Sequence, residues 1–497
     1  MDSIRPLSPV PATGATGQGD NAQERFHEFY VGIDIGYKAH VAACIPPQAF
    51  FDIREPWRKS KTIKFSADSE GIRKLLKGLQ QVSSEPKDFM VLMEPTGGHY
   101  SYIVATVLIS EGYDLYEVDN SAVKDFRERN LGIREKTDEI DARILAYMGY
   151  HKALHPSMIS VRIVKPAGPN QMLFRTFSRD RWLLNKELTS RMNQVLQLFA
   201  VTNPELKSVF KRPTRPSIFE LVKVYPTAAA MAKASEDEIR QTLSKAGAKS
   251  VAAKAAGELR KRVSATWSLD TPYLVARQTW LIQDAQRIRA GLESLDQQIT
   301  ALIHGDSSRD ILEHPYARIL FSLPVVSNIW ACTLIGVIGN IDRFGNEHQF
   351  RKYLGFSAQN AQSGTSLHTT RLSYDGVRDS RRVLFQMALV LNTPHSQPNV
   401  FNEFYKRLVA GRPDIGRPPM PKMKAMGHLC GKISQVLYGC LKSGQTYDAR
   451  LHASACKIPW DDRFIRKPKA VQAEAFETEA AALAENPDVD APEEDPK

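Results

Sequence analysis

The sequence predicts an α/β domain followed by an all-α remainder, and three observations carry that prediction. Residues 28–150 alternate short strand patterns with helical ones, as a sheet with helices packed on it requires. From Pro166 onward the composition turns helical. Leu281, Ala285, Ile288, Leu292, Leu295, Ile299 and Leu302 then recur at alternating spacings of four and three, the heptad seam of a coiled coil.

Phe29 to Ala43 alternates so that Val31, Ile33 and Ile35 share one face and Gly32, Asp34 and Gly36 the other. The glycines leave room for a ligand beside Asp34. Ile63 to Phe65 reads as a short strand, Ser69 to Leu79 as a basic amphipathic helix, and Phe89 to Met93 as a buried strand that delivers Glu94 at its end. Pro95-Thr96-Gly97-Gly98 breaks that strand, after which Tyr100 to Ser110 is helical and Tyr113 to Val118 extended. Open α/β sheets bind ligands at the carboxyl ends of their strands, which is where Asp34 and Glu94 fall. Lys136 to Ala146 follows as a helix, with Asp138 and Asp141 three residues apart on one face.

Leu173 to Ala200 gathers Leu184, Leu188, Met192, Val195 and Phe199 on one stripe, with Arg175, Arg179, Arg181, Lys186 and Arg191 elsewhere. Shorter helices occupy 203–262, among them Ser235 to Ala246. The heptad helix is expected to pair back on Leu173 to Ala200 as an antiparallel coiled-coil hairpin that also helps dimerise the protein. Residues 311–445 read as a further, mostly helical domain with a polar loop, Ser357 to Ser366, and Arg371, Arg378, Arg381 and Arg382 close behind it. The expected organisation is a disordered leader (1–27), a catalytic domain (28–160), a coiled-coil domain (170–305), a C-terminal domain (311–445) and a disordered acidic tail (466–497).

No apolar run is long enough to span a bilayer, and the N-terminus has no apolar signal core, so a cytoplasmic protein without membrane partners is expected. The five cysteines are scattered and form no CxxC pair, which argues against a disulfide framework or a zinc knuckle. Formal net charge is +11, but Ala470 to Lys497 holds nine acidic residues against one lysine, so the rest of the chain carries +19. Such an excess points to a polyanion, nucleic acid first.

Chemistry is carried by Asp34, Glu94, Asp138 and Asp141. Four converging carboxylates repel one another unless they surround a hard divalent metal. A strand Asp, a strand-end Glu and a helical Asp pair are the pattern by which a ribonuclease H-like sheet holds two ions about 4 Å apart for phosphodiester chemistry. Magnesium prefers this oxygen set. Capping or turn roles for individual aspartates are the bland alternative. A loop serine beside a glycine and upstream of arginines is a second candidate, as a nucleophile whose developing charge guanidinium groups stabilise. Ser357, Ser363, Ser366 and Ser373 all lie in the region.

Asp34, Glu94, Lys136-Thr137-Asp138-Glu139-Ile140-Asp141-Ala142-Arg143-Ile144-Leu145-Ala146, Leu323-Pro324, Tyr353-Leu354-Gly355-Phe356 and Ser363-Gly364 together resemble the DEDD transposases of insertion sequences. These are bridge-RNA-guided serine recombinases, to which the DNA invertases of pilin genes are related. The resemblance covers roughly residues 28–445, with Val325-Val326-Ser327 and Tyr374-Asp375-Gly376-Val377 standing where the family has a glycine-rich hairpin and a lysine-glycine-asparagine turn. It implies a RuvC-like domain whose Asp34, Glu94, Asp138 and Asp141 hold magnesium, two ions per site, with manganese as a substitute. It implies a C-terminal domain whose Ser363 is joined covalently to DNA. It also implies donor and target DNA bridged by a structured non-coding guide RNA, with dimers pairing into a dimer of dimers at the nucleoid. Lys136, Arg175, Arg179, Arg191, Arg371, Arg381 and Arg382 are the expected nucleic-acid contacts. The competing readings are a metal-dependent nuclease or junction resolvase that uses water, a site-specific DNA invertase, a sugar-kinase-like ATPase suggested by Gly32-Ile33-Asp34-Ile35-Gly36, and a non-enzymatic RNA-binding protein.

Overall fold

The computed structural model describes residues 26–94, 99–118, 120–155, 159, 161–164, 171–363, 367–372, 376–393, 396–411 and 418–465. The leader up to Arg25, Pro95-Thr96-Gly97-Gly98, Gly364-Thr365-Ser366, Ser373-Tyr374-Asp375 and the acidic tail lie outside the described residues. The chain divides into two compact units, both discontinuous in sequence. One comprises Met1–Leu173, Ile335–Leu384 and Cys430–Gln445; the other comprises Phe174–Leu334, Phe385–Leu429 and Thr446–Lys497.

The first unit is built on a mixed six-stranded sheet: β1 (Phe29–Ile35), β2 (His40–Ile45), β3 (Thr62–Phe65), β4 (Phe89–Met93), β5 (Asp114–Val118) and β6 (Val161–Ile163). Their order is β3-β2-β1-β4-β5-β6. β1 and β4 are central and parallel, with Ile33 opposite Met93, and β4 runs parallel to β5. The β1–β2, β2–β3 and β5–β6 pairs are antiparallel.

Alternation of side chains sorts the strands onto two cores. Val31, Ile33, Ile35, Val91 and Met93 pack with Leu75 and Leu79 of α1 (Ser69–Gln80) and Val104 and Leu108 of α2 (His99–Ser110). Tyr30, Met90 and Leu92 face the other way, onto Ala142, Leu145 and Ala146 of α3 (Asp138–Leu154). Covering both faces explains why all five residues of β4 are buried and apolar.

β6 has no counterpart among the expected strands, because three residues show no readable periodicity; it is held by Val118–Val161 and Tyr116–Ile163 pairing. A second departure concerns Ser357 to Ser366, expected as a polar loop. Ala358–Ser363 (β7) instead pairs antiparallel with Leu367–Leu372 (β8). A polar strand lacks the hydrophobic alternation by which strands are read, and backbone hydrogen bonds to its neighbour define it instead.

In the second unit, α4 (Gln171–Thr202) and α5 (Pro272–His304) run antiparallel. The direction is visible in three contacts: Arg181 donates to Asp296 at 2.6 Å, Arg191 to Asp284 at 2.6 Å, and Thr202 to Gln278 at 2.6 Å. All seven heptad residues are buried. Leu281, Ile282 and Ala285 meet Val195 and Phe199 together with Phe219 and Leu259 from the intervening shorter helices. The α5 seam is therefore filled within one chain. Among these shorter helices, Glu236–Lys245 opens on a full capping box between Ser235 and Glu238. Among the described residues no helix is long and apolar enough to cross a membrane.

Candidate active site

Strand register brings the first two carboxylates together. Ile33 pairs with Met93, so Asp34 and Glu94 are the next residues on adjacent parallel strands, which lie about 4.8 Å apart. Asp34 shares the parity of Tyr30 and Gly32, and Glu94 that of Met90 and Leu92, so both project to the α3 face. Glu94 itself follows the last residue of β4 and is half-buried, like Asp34.

A glycine sets how closely α3 approaches. A Cβ added to Gly32 would lie 2.0 Å from the Ala142 carbonyl oxygen and 2.4 Å from the Ala146 nitrogen, so helix backbone rests directly on strand backbone. Asp34 is two residues further along β1, and Asp138 one turn before Ala142. Docking Ala142 on Gly32 thereby carries the start of α3 over Asp34. The helix is capped by Thr137, whose side chain accepts the Ile140 N–H at 3.2 Å. The capping alternative for Asp138 is thus overturned: Asp138 is the first helical residue and its carboxylate is not the cap. Glu139 pairs with Lys64, which leaves Asp138 and Asp141 as the acidic groups directed at the sheet end.

Electrostatics reports the same convergence. The Asp34 carboxyl is pushed up to about 6, first by burial and then by Asp138 and Asp141, with Lys136 pulling the other way. The Glu94 carboxyl is pushed up to about 7 by burial, then by Asp34 and Asp141, against Lys136 and Arg127. Each carboxylate therefore senses its neighbours across a poorly solvated corner. Asp138 and Lys136 lie at its exposed edge, and Asp141 is only 4% exposed.

Arg127 is the residue that sequence reasoning missed. It sits on a π-helical turn, Phe126–Asn130, and is buried; its guanidinium donates to Asp141 at 2.9 Å and to Glu128 at 3.2 Å. In Arg127-Glu128-Arg129 it reads as one charge of a solvated run, and nothing in its spacing to Asp141 marks the pairing. Among the described residues no three Asp, Glu, His or Cys side chains stand close enough to share an ion, and Asp141 is held by Arg127 instead.

The donor set nonetheless fits a hard divalent cation. Every donor is a carboxylate oxygen, Asp34 and Glu94 are raised by burial and by their acidic neighbours, and a guanidinium is bonded to Asp141 alone among the four. A pH dependence follows. Because these carboxyls titrate near 6 and 7 rather than near 4, apparent magnesium or manganese affinity should rise steeply from pH 5.5 to 8, as protons stop competing. By the same linkage, Asp34 and Glu94 should add stability to the metal-free fold as pH falls from 7 toward 4, a contribution opposed by buried His314, whose depressed pKa costs stability as pH falls over the same range. Calorimetric titration at the two pH values checks the first part; equal affinities at both would show that Asp34 and Glu94 are not ligands.

The remaining predicted residues are spread over other elements. Arg175 and Arg179 lie on the first part of α4, half-buried and exposed respectively. Arg191, further along, is ion-paired with Asp284 and stacked on Trp280, so its charge is answered within the hairpin. Arg371 is in β8 opposite Gln359, and Ser363 ends β7 opposite Leu367. Arg381 and Arg382 are in the first turns of α6 (Arg378–Leu391), where Arg382 donates to Asp379 at 3.1 Å. Val325 adopts φ +63°, a left-handed conformation unfavourable for a β-branched side chain. The backbone thus keeps a glycine-like shape where glycine is absent.

A DEDD-type family model described as a transposase matches residues 31–204, and the model of the IS116/IS110/IS902 transposase family matches residues 317–406. The chain is a DNA transposase with the domains of the IS116/IS110/IS902 family. No individual curated protein matches it. All four carboxylates of the transposase fall inside the first matched region and Ser363 inside the second. A DEDD-type transposase domain brings an expectation of divalent-metal dependence, in keeping with the donor set.

Proposed function

We propose that this transposase cuts and rejoins the DNA strands of a mobile element under the direction of a structured guide RNA, through a covalent phosphoserine intermediate. Support comes from one observation above the rest: Asp34 and Glu94, on adjacent strand ends, titrate far above ordinary carboxylates because they are buried in a corner that Asp138 and Asp141 share. Asp34, Glu94, Asp138 and Asp141 would hold two magnesium ions, which, when bound, supply the positive charge that a phosphodiester needs in order to accept a nucleophile. Arg127 keeps Asp141 oriented and compensated when no metal is present. Lys136, exposed at the rim, attracts the phosphate backbone.

Ser363 is the proposed nucleophile. Its hydroxyl oxygen bonds to phosphorus, its proton is lost, and the sugar oxygen departs as a hydroxyl; attack by a new sugar hydroxyl reverses the exchange and reseals the strand. Residues 28–160 serve as the catalytic domain, 170–305 as the coiled-coil domain and 311–445 as the domain that carries the serine. Carboxylates of one subunit would meet the serine of another in a dimer of dimers. Arg175, Arg179, Arg371, Arg381 and Arg382 contact phosphates of DNA or guide RNA, while base pairing reads the sequence.

Ser363→Ala should form no covalent protein–DNA adduct on a denaturing gel while still binding DNA. An adduct at full yield would move the nucleophile to another residue. Absence of any adduct from the wild-type protein under conditions where DNA is cut would instead favour the water-using nuclease reading.

A further inference from the structure

We propose that Tyr37 and Tyr100 form an aromatic corner that stacks an unpaired base of the DNA strand whose phosphate enters the carboxylate site. Tyr37 sits in the turn between β1 and β2, three residues after Asp34. Tyr100 is in the first turn of α2, the element that follows Glu94. The two rings are 5.5 Å apart at 85°. Both remain open to solvent, Tyr37 at 76% and Tyr100 at 47% exposure.

Exposed rings of this size at the end of a sheet contribute little to a core, and their position is not left to chance. A Cβ on Gly36 would come within 2.3 Å of the Ala39 carbonyl oxygen, so the glycine lets the chain fold back tightly and present Tyr37 at the tip. Two perpendicular rings offer a face to stack on and an edge to bound a flat group. A nucleobase fits that corner only if its own face is uncovered, which excludes a base inside a duplex and selects a single strand. The charge of the site agrees: Lys38, next to Tyr37 in the chain, and Lys136, which acts on Asp34 and Glu94, are both exposed and available to phosphates of the same strand.

This inference rests on the carboxylates taking the DNA phosphate, but its test reads binding alone. Full-length protein carrying Asp34→Asn, without added metal, is mixed with a single-stranded oligodeoxynucleotide bearing one 5-iododeoxyuridine, irradiated, and the adducted peptide identified by mass spectrometry. Adducts at Tyr37 or Tyr100 are expected. Tyr37→Ala and Tyr100→Ala, added singly, should remove them and weaken binding about fivefold or more. Tyr→Phe at either position should keep both properties, because stacking needs the ring and not the hydroxyl. The dependence of affinity on salt should stay unchanged, since no phosphate contact is lost. Adducts confined to other peptides, wild-type affinity in both alanine variants, or equal adduct yield with a fully paired duplex would each overturn the proposal. Strand transfer surviving in Asp34→Asn would sink the carboxylate reading instead, and would do so with the tyrosine adduct still in place.

Discussion

Asp34→Asn and Glu94→Gln should each reduce strand transfer by about a thousandfold or more and at the same time raise the melting temperature of the metal-free protein. The two effects share one cause. Asp34 and Glu94 are half-buried among Asp138 and Asp141, and their carboxyls are raised to about 6 and about 7. Near neutral pH the folded state therefore keeps charges together that the unfolded chain would separate, and an isosteric amide removes one of them. That same charge is what a divalent cation needs from its ligand. Thermal melts in chelator and strand-transfer assays with magnesium, run on the same preparations, check both halves. An amide variant less stable than the parent in chelator would mean that the group is a structural partner and not a member of a repelling set. DNA binding should survive in both variants, because no basic residue is altered.

The second large effect concerns a residue with no functional group. Gly32→Ala should destabilise the first unit by about 3 kcal/mol or more and lower strand transfer at least a hundredfold, on the order of the loss a small misplacement causes, in whatever protein still folds. The new Cβ would lie 2.0 Å from a carbonyl oxygen and 2.4 Å from a backbone nitrogen of α3, and neither atom belongs to a flexible side chain that can step aside. The helix must lift, and Asp138 and Asp141 move with it away from Asp34. A displacement of about 1 Å is enough to cost two orders of magnitude in rate. Gly291 provides the control. It lies inside α5 with nothing within 4 Å of an added Cβ, so Gly291→Ala should stabilise the protein by about 0.5–1 kcal/mol through helix propensity. Urea unfolding of the two variants distinguishes a packing clash from a general intolerance of alanine; parent-like stability of Gly32→Ala would show that α3 docks elsewhere.

The carboxylates were legible because each occupies a position that local pattern defines. Asp34 falls in the polar phase of an alternating strand, Glu94 directly after an apolar run of five, and Asp138 and Asp141 at helical spacing. The α4–α5 hairpin was legible for the same reason, since a seven-residue repeat states which face is buried. Other features had no local signature. β6 is too short to show alternation, and β7 and β8 consist largely of polar residues whose pairing rests on backbone hydrogen bonds. Arg127 resembles its exposed neighbour Arg129 until the fold closes over it.

By itself the sequence determined which residues could carry the chemistry and which faces had to be covered, because periodicity and side-chain chemistry are properties of the chain. Tertiary structure alone decided the rest. It seated α3 on Gly32, raised Asp34 and Glu94 through burial and mutual repulsion, turned Asp141 onto Arg127 and set Tyr37 against Tyr100. These depend on distances between segments far apart in the chain, which hydrophobic burial and close packing fix only once the sheet and its helices have come together.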